Sequence, residues 1–453
     1  MDKPNLTKNQ EVELQIQDLS YEGKGVAKVD DFTLFVDNAL PGETVKAVIT
    51  RINKNFGFAR TLDVLTESPD RVHDIDAIYA QTGIAPLSHL KYDKQLEFKR
   101  NQVVTDFSKI GLKDVVVNET LGMESPFNYR NKAQVPVRQV NGKLTTGFYR
   151  RRSHNLVPME NFLIQDPKID AEIIAVRDIL RKYNVRGFDE DKQKGQIKNI
   201  MIRRAYFTGE MMVVLVSRTP DISHYKDIAK EILANSEVKS LYLNINSRNT
   251  NVVFGPKMTL LGGKKYIDDE ILGHTYRISP RSFYQVNPVQ TQNLYQLAID
   301  KAELTGKENV VDAYSGIGTI GLSMADKADH ITGIEVIEEA VKDADKNAKL
   351  NGIDNADFVV GKTEDVLNEW AKNDMSIDVL MVDPPRKGLA NSLIDSIKNI
   401  KPEKMVYISC NPATLARDLE LLSDTYEIGD VTPVDMFPMT NHIECVTQLK
   451  LKK

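Results

Sequence analysis

Cysteine is scarce in this chain. Its 453 residues hold two, Cys410 and Cys445. Two thiols exclude a disulfide framework, a four-cysteine zinc site and a cysteine-ligated iron–sulfur cluster. They fit a reducing cytoplasm, where a reactive thiol stays free. Long apolar runs are missing too. No run reaches the roughly 18 residues that a membrane span needs, so no membrane contact is expected. The first residues, Met1-Asp2-Lys3-Pro4-Asn5-Leu6, carry no apolar signal core, and a cytoplasmic location is expected. Acids are absent from two stretches in the middle. Residues 128–159 carry Arg130, Lys132, Arg138, Lys143, Arg150, Arg151 and Arg152, and residues 192–204 carry Lys192, Lys194, Lys198, Arg203 and Arg204. The net charge is −5, so these are local basic surfaces in an acidic protein. They suit phosphate and nucleic acid, or are solvated hairpin faces.

The rest of the composition is that of a globular protein, 41% hydrophobic and 27% charged. The length calls for more than one core. Residues 1–63 read as short strands broken by turn residues, five strands that predict a small β-barrel of the oligonucleotide-binding kind. Residues 64 to about 90 read as an irregular connector. A helix follows from Lys94 to Ile110, stopped by Gly111. The rest of 64–272 alternates strands with helices, an α+β unit with its own core. From 273 to 453 the rhythm becomes regular βα alternation, which predicts a doubly wound, mostly parallel sheet of Rossmann type. The expected fold is multidomain: barrel, α+β middle and α/β end. No obligate protein partner is evident.

The chemistry gathers in the α/β part. Asp312-Ala313-Tyr314-Ser315-Gly316-Ile317-Gly318-Thr319 links a strand to a helix. Its glycines permit a sharp turn and close approach of a ligand. Glu335 ends the next strand, where an acid can accept hydrogen bonds from ribose hydroxyls. The third glycine of a dinucleotide fingerprint and the lysine of a phosphate loop are both absent, which favours S-adenosylmethionine over NAD or ATP. The plain alternative is a structural βα turn. Asp383-Pro384-Pro385-Arg386 ends another strand, and its prolines force a rigid turn. Cys410 lies in Ser409-Cys410-Asn411-Pro412, where a strand gives way to a helix. A helix N-terminus there is expected to lower the thiol pKa; the alternative is an inert cysteine. A thiolate added to C6 of uracil turns C5 into an enolate carbon that accepts a methyl group. A base must then take the C5 proton. Glu444 in Asn441-His442-Ile443-Glu444-Cys445 is the candidate base. Strand alternation places it on one face with His442, and Ile443 and Cys445 on the other.

These motifs together resemble the S-adenosylmethionine-dependent RNA uracil-5 methyltransferases, over nearly the whole chain. The resemblance implies that Cys410 is the nucleophile and Glu444 the base. It implies cofactor contacts at Gln285 (in Ser282-Phe283-Tyr284-Gln285), Tyr314, Glu335 and Asp383, to which the glycine loop adds Gly316; Gln285, Phe283 and Asp383 are expected to frame the target base and the methyl donor. The barrel resembles the TRAM domain, which in that family contacts RNA. Members that carry it usually modify 23S ribosomal RNA, whereas tRNA-type members usually lack it. Many ribosomal members hold a four-cysteine iron–sulfur cluster. Here those positions are Asp76, Thr82, Ala85 and the region of Phe162, so no iron–sulfur cluster and no metal is expected.

Overall fold

The computed structural model describes residues 6–76, 78–151, 153–190, 192–248, 252–373 and 376–453. Arg152 of the basic stretch lies outside them. The N-terminal sheet has six strands, one more than expected: β1 (Glu11–Gln15), β2 (Asp18–Leu19), β3 (Gly25–Val29), β4 (Phe32–Asp37), β5 (Thr44–Ile52) and β6 (Phe56–Thr66). They lie in the order β1-β5-β6-β4-β3-β2. Gln17 N–H donates to the Val26 carbonyl at 2.8 Å, bringing the end of β1 back onto β3. Alternation fills the interior. Phe32, Leu34 and Val36 of β4 point inward with Val45, Ala47 and Ile49 of β5.

The connector contains a short helix, α1 (Ile78–Thr82), and leads to α2 (Tyr92–Lys109). Glu43 of the barrel is fully buried and held by Arg71 of the connector, Nε to Oε1 at 2.5 Å and Nη2 to Oε2 at 2.7 Å. Burial alone would raise the Glu43 carboxyl. Arg71 and the backbone N–H groups of Leu40 and Ser68 hold it below its usual range.

The middle of the chain forms β7 (Lys132–Val140), β8 (Lys143–Tyr149), β9 (Leu156–Pro158), α3 (Pro167–Lys182), β10 (Ile197–Arg204), β11 (Met211–Ser217), α4 (Tyr225–Ile232), β12 (Val238–Ile245) and β13 (Lys257–Gly263). Its seven strands run in the order β13-β12-β11-β10-β7-β8-β9. The expected core of its own lies on one face of this sheet, and the other face adds to a second core. On β11, Met211, Val213 and Leu215 face a cluster with α3 and α4. Met212, Val214 and Val216 face a cluster that also holds residues of the C-terminal sheet. The period of two sends alternate residues into two cores, which is why β11 is buried throughout.

A hairpin follows, β14 (Ile267–Ile271) and β15 (His274–Ile278). The C-terminal part comprises α5 (Pro288–Ala302), β16 (Asn309–Ala313), α6 (Thr319–Leu322), β17 (His330–Glu335), α7 (Glu338–Leu350), β18 (Ala356–Val360), α8 (Thr363–Lys372), β19 (Val379–Val382), α9 (Asn391–Ile400), β20 (Lys404–Ser409), α10 (Pro412–Leu422), β21 (Tyr426–Val434) and β22 (Glu444–Leu451). The sheet order is β18-β17-β16-β19-β20-β22-β21. The first five strands are parallel, while β22 runs antiparallel to β20 and to β21. Helices α3, α5 and α10 open alike, with an Asp or Asn cap accepting a backbone N–H and proline at the first position. Helix α2 packs Val103 and Phe107 into the core of the C-terminal sheet.

The four positions compared with the cluster ligands differ in setting. Asp76 lies in the connector, where its Oδ1 caps Ile78 N–H at 2.9 Å. Thr82, Ala85 and Phe162 are buried. Ala85 packs with Tyr129, Ile164 and Met439, and Phe162 meets the Phe148 ring edge-on, centroids 5.3 Å apart. Apolar packing holds this region together.

Candidate active site

Strand order reverses between β16 and β19, and the loops leaving their carboxyl ends frame a crevice. The loop after β16 turns sharply: Tyr314, Gly316 and Gly318 have φ of 68°, 57° and 83°. Asp312, at the end of β16, is buried and accepts from Gly321 N–H at 2.9 Å, tying the strand to α6. Glu335 ends β17. Its two carboxylate oxygens accept from Gly316 N–H at 3.1 Å and Ile337 N–H at 2.8 Å. Tyr314, Glu335, Val336, Thr363, Pro385 and Leu389 line a cavity of about 420 Å³. Val336 and Ile337 leave 60% and 56% of their surface exposed beside it. Gln285 is buried just before α5, and its carbonyl accepts from Asn131 Nδ2 at 3.3 Å. Its side-chain amide forms no hydrogen bond among the described residues. Phe283, two residues earlier, is 69% exposed.

Cys410 and Glu444 come together through strand register. Ser409 of β20 pairs with Cys445 of β22, so the next step sets Cys410 opposite Glu444, at the spacing where cross-strand side chains touch. Cys410 is half-buried and Glu444 buried. Burial, then the Glu444 and Asp383 carboxyls, push the Cys410 thiol up to about 11, against the pull of Arg386. Burial and the two acids thus act against the lowering that a helix N-terminus can give. Burial and then Asp383 raise Glu444 well above its usual range, and Arg386 opposes this. Burial pushes Asp383 up to about 7. Asp312 also reaches about 7, through burial and then Asp383 and Glu335. The free crevice thus gathers acids that resist ionising together, a setting that a cation would relieve.

Strand β22 begins at Glu444, as expected, and His442 lies two residues before it. His442 is exposed on the hairpin loop, with its Nδ1 3.2 Å from Arg386 Nη2. Ile443 and Cys445 do share a core, packed against α2 and α10. Arg386 is a site residue that pattern reading undervalued. Its carbonyl accepts from Asn411 Nδ2 at 3.0 Å, joining the Asp383 loop to the Cys410 loop. A cation directly after the rigid Pro384-Pro385 turn was the available signal.

Residues 91–452 match the family described as tRNA (Uracil-5-)-methyltransferase. The chain belongs to this family. Residues 5–62 match the TRAM domain. An uncharacterized RNA methyltransferase of Listeria innocua is 50% identical over 453 residues, 100% of both chains. Another from Lactobacillus johnsonii is 51% identical over 446 residues, 98% of this chain and 99% of the relative. Among solved structures, the Pyrococcus abyssi tRNA (uracil-54, C5)-methyltransferase in complex with S-adenosyl-L-homocysteine superposes with a TM-score of 0.77. It is 26% identical and covers 97% of this chain and 100% of that one. The chain is therefore an RNA methyltransferase of the uracil-5 family, with a TRAM domain ahead of its Rossmann-like sheet.

An enzyme of this family must hold RNA, and its cations divide into two sets. Some are internal. Arg138 pairs with Glu190 and lies over the Tyr149 ring, and Arg204 pairs with Asp166 at 2.9 Å. Arg203 donates to the carbonyls of Ser279 and Ser282, steadying the loop that carries Phe283. Others lack a carboxylate partner among the described residues: Arg130, Lys132, Arg150 and Arg151. Arg130 and Lys132 flank Asn131, which bonds to Gln285 and Val286 at the crevice. Burial, then Arg203 and Arg130, push Lys132 down to about 7. Arg150 and Arg151 line a groove of about 520 Å³ with Lys24 and Arg60 of the barrel.

Proposed function

We propose that this enzyme methylates C5 of uridine in 23S ribosomal RNA through a covalent adduct, with Cys410 as nucleophile and Glu444 as base. The observation that carries the chemistry is the register that sets Cys410 opposite Glu444 at the mouth of the crevice. The crevice suits S-adenosylmethionine. Its apolar walls and Glu335 fit an adenosine, with Tyr314 and Gly316 in the turn beneath. The acids Asp383 and Asp312, pushed up by burial, fit a positive charge. Gln285 offers an unpaired amide. When bound, S-adenosylmethionine supplies a methyl group on a sulfonium.

The target base must leave its stack to reach the site. Phe283, exposed two residues before Gln285, offers a ring for it to stack on. Cys410 releases its proton to solvent, and its sulfur bonds to C6 while the C5=C6 electron pair moves into the C4 enolate. C5 then takes the methyl group. Glu444, as carboxylate, removes the C5 proton. The C5–H pair re-forms the enolate, the S–C6 bond breaks, C5=C6 is restored and Cys410 leaves as thiolate. Arg386 stands beside both residues and favours their charged forms.

The choice of 23S rRNA rests on the TRAM-type barrel. One observation favours tRNA instead: the Pyrococcus abyssi enzyme that covers 97% of this chain is a tRNA (uracil-54, C5)-methyltransferase, so the domain plan does not by itself exclude tRNA. Mapping 5-methyluridine in ribosomal and transfer RNA, with and without the gene, decides between them. Loss of a 23S rRNA site, restored by the wild-type gene, supports the proposal. Loss confined to tRNA position 54 moves the substrate to tRNA, and loss at no site refutes the activity.

A further inference from the structure

Glu444 is the first residue of β22, and Val434, its cross-strand neighbour, is the last of β21. Residues 435–443 form the hairpin loop between them. This loop is held at one position after another by side chains from outside the hairpin. Asp435 and Lys99 of α2 are both fully buried and joined at 2.5 Å. Tyr92 donates its hydroxyl to the other Asp435 oxygen at 2.8 Å. Lys99 reaches on to the Phe437 carbonyl at 3.2 Å. Gln95 Oε1 accepts from Met439 N–H at 3.0 Å, and Met439 is held in the left-handed region at φ 67°. Tyr129 donates to the Pro438 carbonyl at 3.1 Å and Asn287 to the Met436 carbonyl at 3.0 Å.

A fully buried ion pair is a poor way to stabilise a fold, because desolvation offsets most of its attraction. It is a good way to fix a geometry, since neither partner can leave the other. We propose that Lys99 and Asp435, with Tyr92 and Gln95, are positioning residues: they fix the backbone from which Glu444 reaches the C5 proton. The inference rests on the reading of Glu444 as the base. It assigns the grip to a helix that lies more than 300 residues earlier in the chain. None of these clamp contacts touches Cys410, which follows the neighbouring strand β20, whereas Glu444 directly continues the loop, so the clamp acts first on the elimination step rather than on the attack.

The test compares the two steps in single turnovers. Substrate is RNA from cells lacking the gene, with radiolabelled S-adenosylmethionine. The variants are Tyr92→Phe, Gln95→Met and the double Lys99→Met/Asp435→Leu, which removes both charges together. A reacting group displaced by about 1 Å can lose on the order of a hundredfold in rate. We expect label to enter RNA at close to the wild-type rate, while the denaturation-resistant adduct decays about tenfold or more slowly. Decay at the wild-type rate in folded variants overturns the inference. So does equal slowing of both steps with a lowered melting temperature, which marks a purely structural role. If the double variant does not fold, Tyr92→Phe, which leaves the ion pair intact, decides by the same criteria. Glu444→Gln runs alongside. If it accumulates no adduct, the reading of the base fails; if it does and the clamp variants do not, the clamp alone fails.

Discussion

At the scale of single residues, the crevice sets function against stability. Asp383 is pushed from 3.8 to about 7 by burial. A carboxyl whose folded pKa lies above its unfolded one binds more protons folded than unfolded in that interval. Its contribution to stability is therefore full below 3.8 and is lost as pH rises toward about 7. Asp312 acts in the same direction. The melting temperature of the free enzyme should fall across this window. Asp383→Asn should flatten the fall while weakening binding of S-adenosylmethionine. Thermal melts of both proteins across that pH range, with and without cofactor, check it; an equally steep fall in the variant argues against Asp383 as a source. The strand-end positions of Cys410, Asp383 and Glu444 were legible in the sequence, from the turn residues after Asp383 and Cys410 and from the apolar strand that follows Glu444. What the sequence hid was their mutual effect. Burial raises the Cys410 thiol, and Glu444, arriving from another strand, raises it further, an effect that no local rule about helix N-termini contains.

At the scale of elements, charge counted along the chain overstated the basic surface. Arg138 and Arg204 find Glu190 and Asp166, which lie far from them in sequence. Arg150 and Arg151 have no carboxylate partner among the described residues and line the groove with Lys24, Asp37 and Arg60. If that groove takes RNA, replacing both arginines by alanine should flatten the salt dependence of RNA binding by about 0.7 to 0.9 in slope per lost contact. Cofactor affinity and melting temperature should stay unchanged. Binding titrations at several salt concentrations read the slope, and an unaltered slope removes RNA from this groove. The barrel and the parallel strands were readable from alternation and from βα rhythm. The start of the last strand at Glu444 was readable too, whereas the clamps from α2 that hold residues 435–443 before it left no local pattern. The barrel also reaches this loop, where Asn441 donates to the Tyr21 carbonyl at 3.1 Å.

At the scale of the whole molecule, the middle and C-terminal sheets share a core that sequence rhythm did not suggest, while the barrel keeps its own. Residues of β11 and β12 belong to one core with α5 and the C-terminal strands. Sequence patterns report which face of an element is apolar, but not which neighbour covers it. The region of Asp76, Thr82, Ala85 and Phe162 shows the same limit. The sequence shows only that cysteines are absent, and the structure shows the apolar contacts that occupy the space. The purified protein should accordingly carry no stoichiometric iron and keep full activity in air; metal analysis and a visible spectrum check both, and a charge-transfer band with matching iron would contradict it. The proposed chemistry turns on a covalent bond between Cys410 and a uridine. The most direct measurement incubates Glu444→Gln with S-adenosylmethionine and RNA, digests the trapped species with nuclease and protease, and weighs the peptides. A peptide containing Cys410 with the mass of an attached 5-methyluridine nucleotide is the predicted result. An unmodified Cys410 peptide in a variant that still binds RNA and cofactor, or normal turnover by Glu444→Gln, would contradict the account.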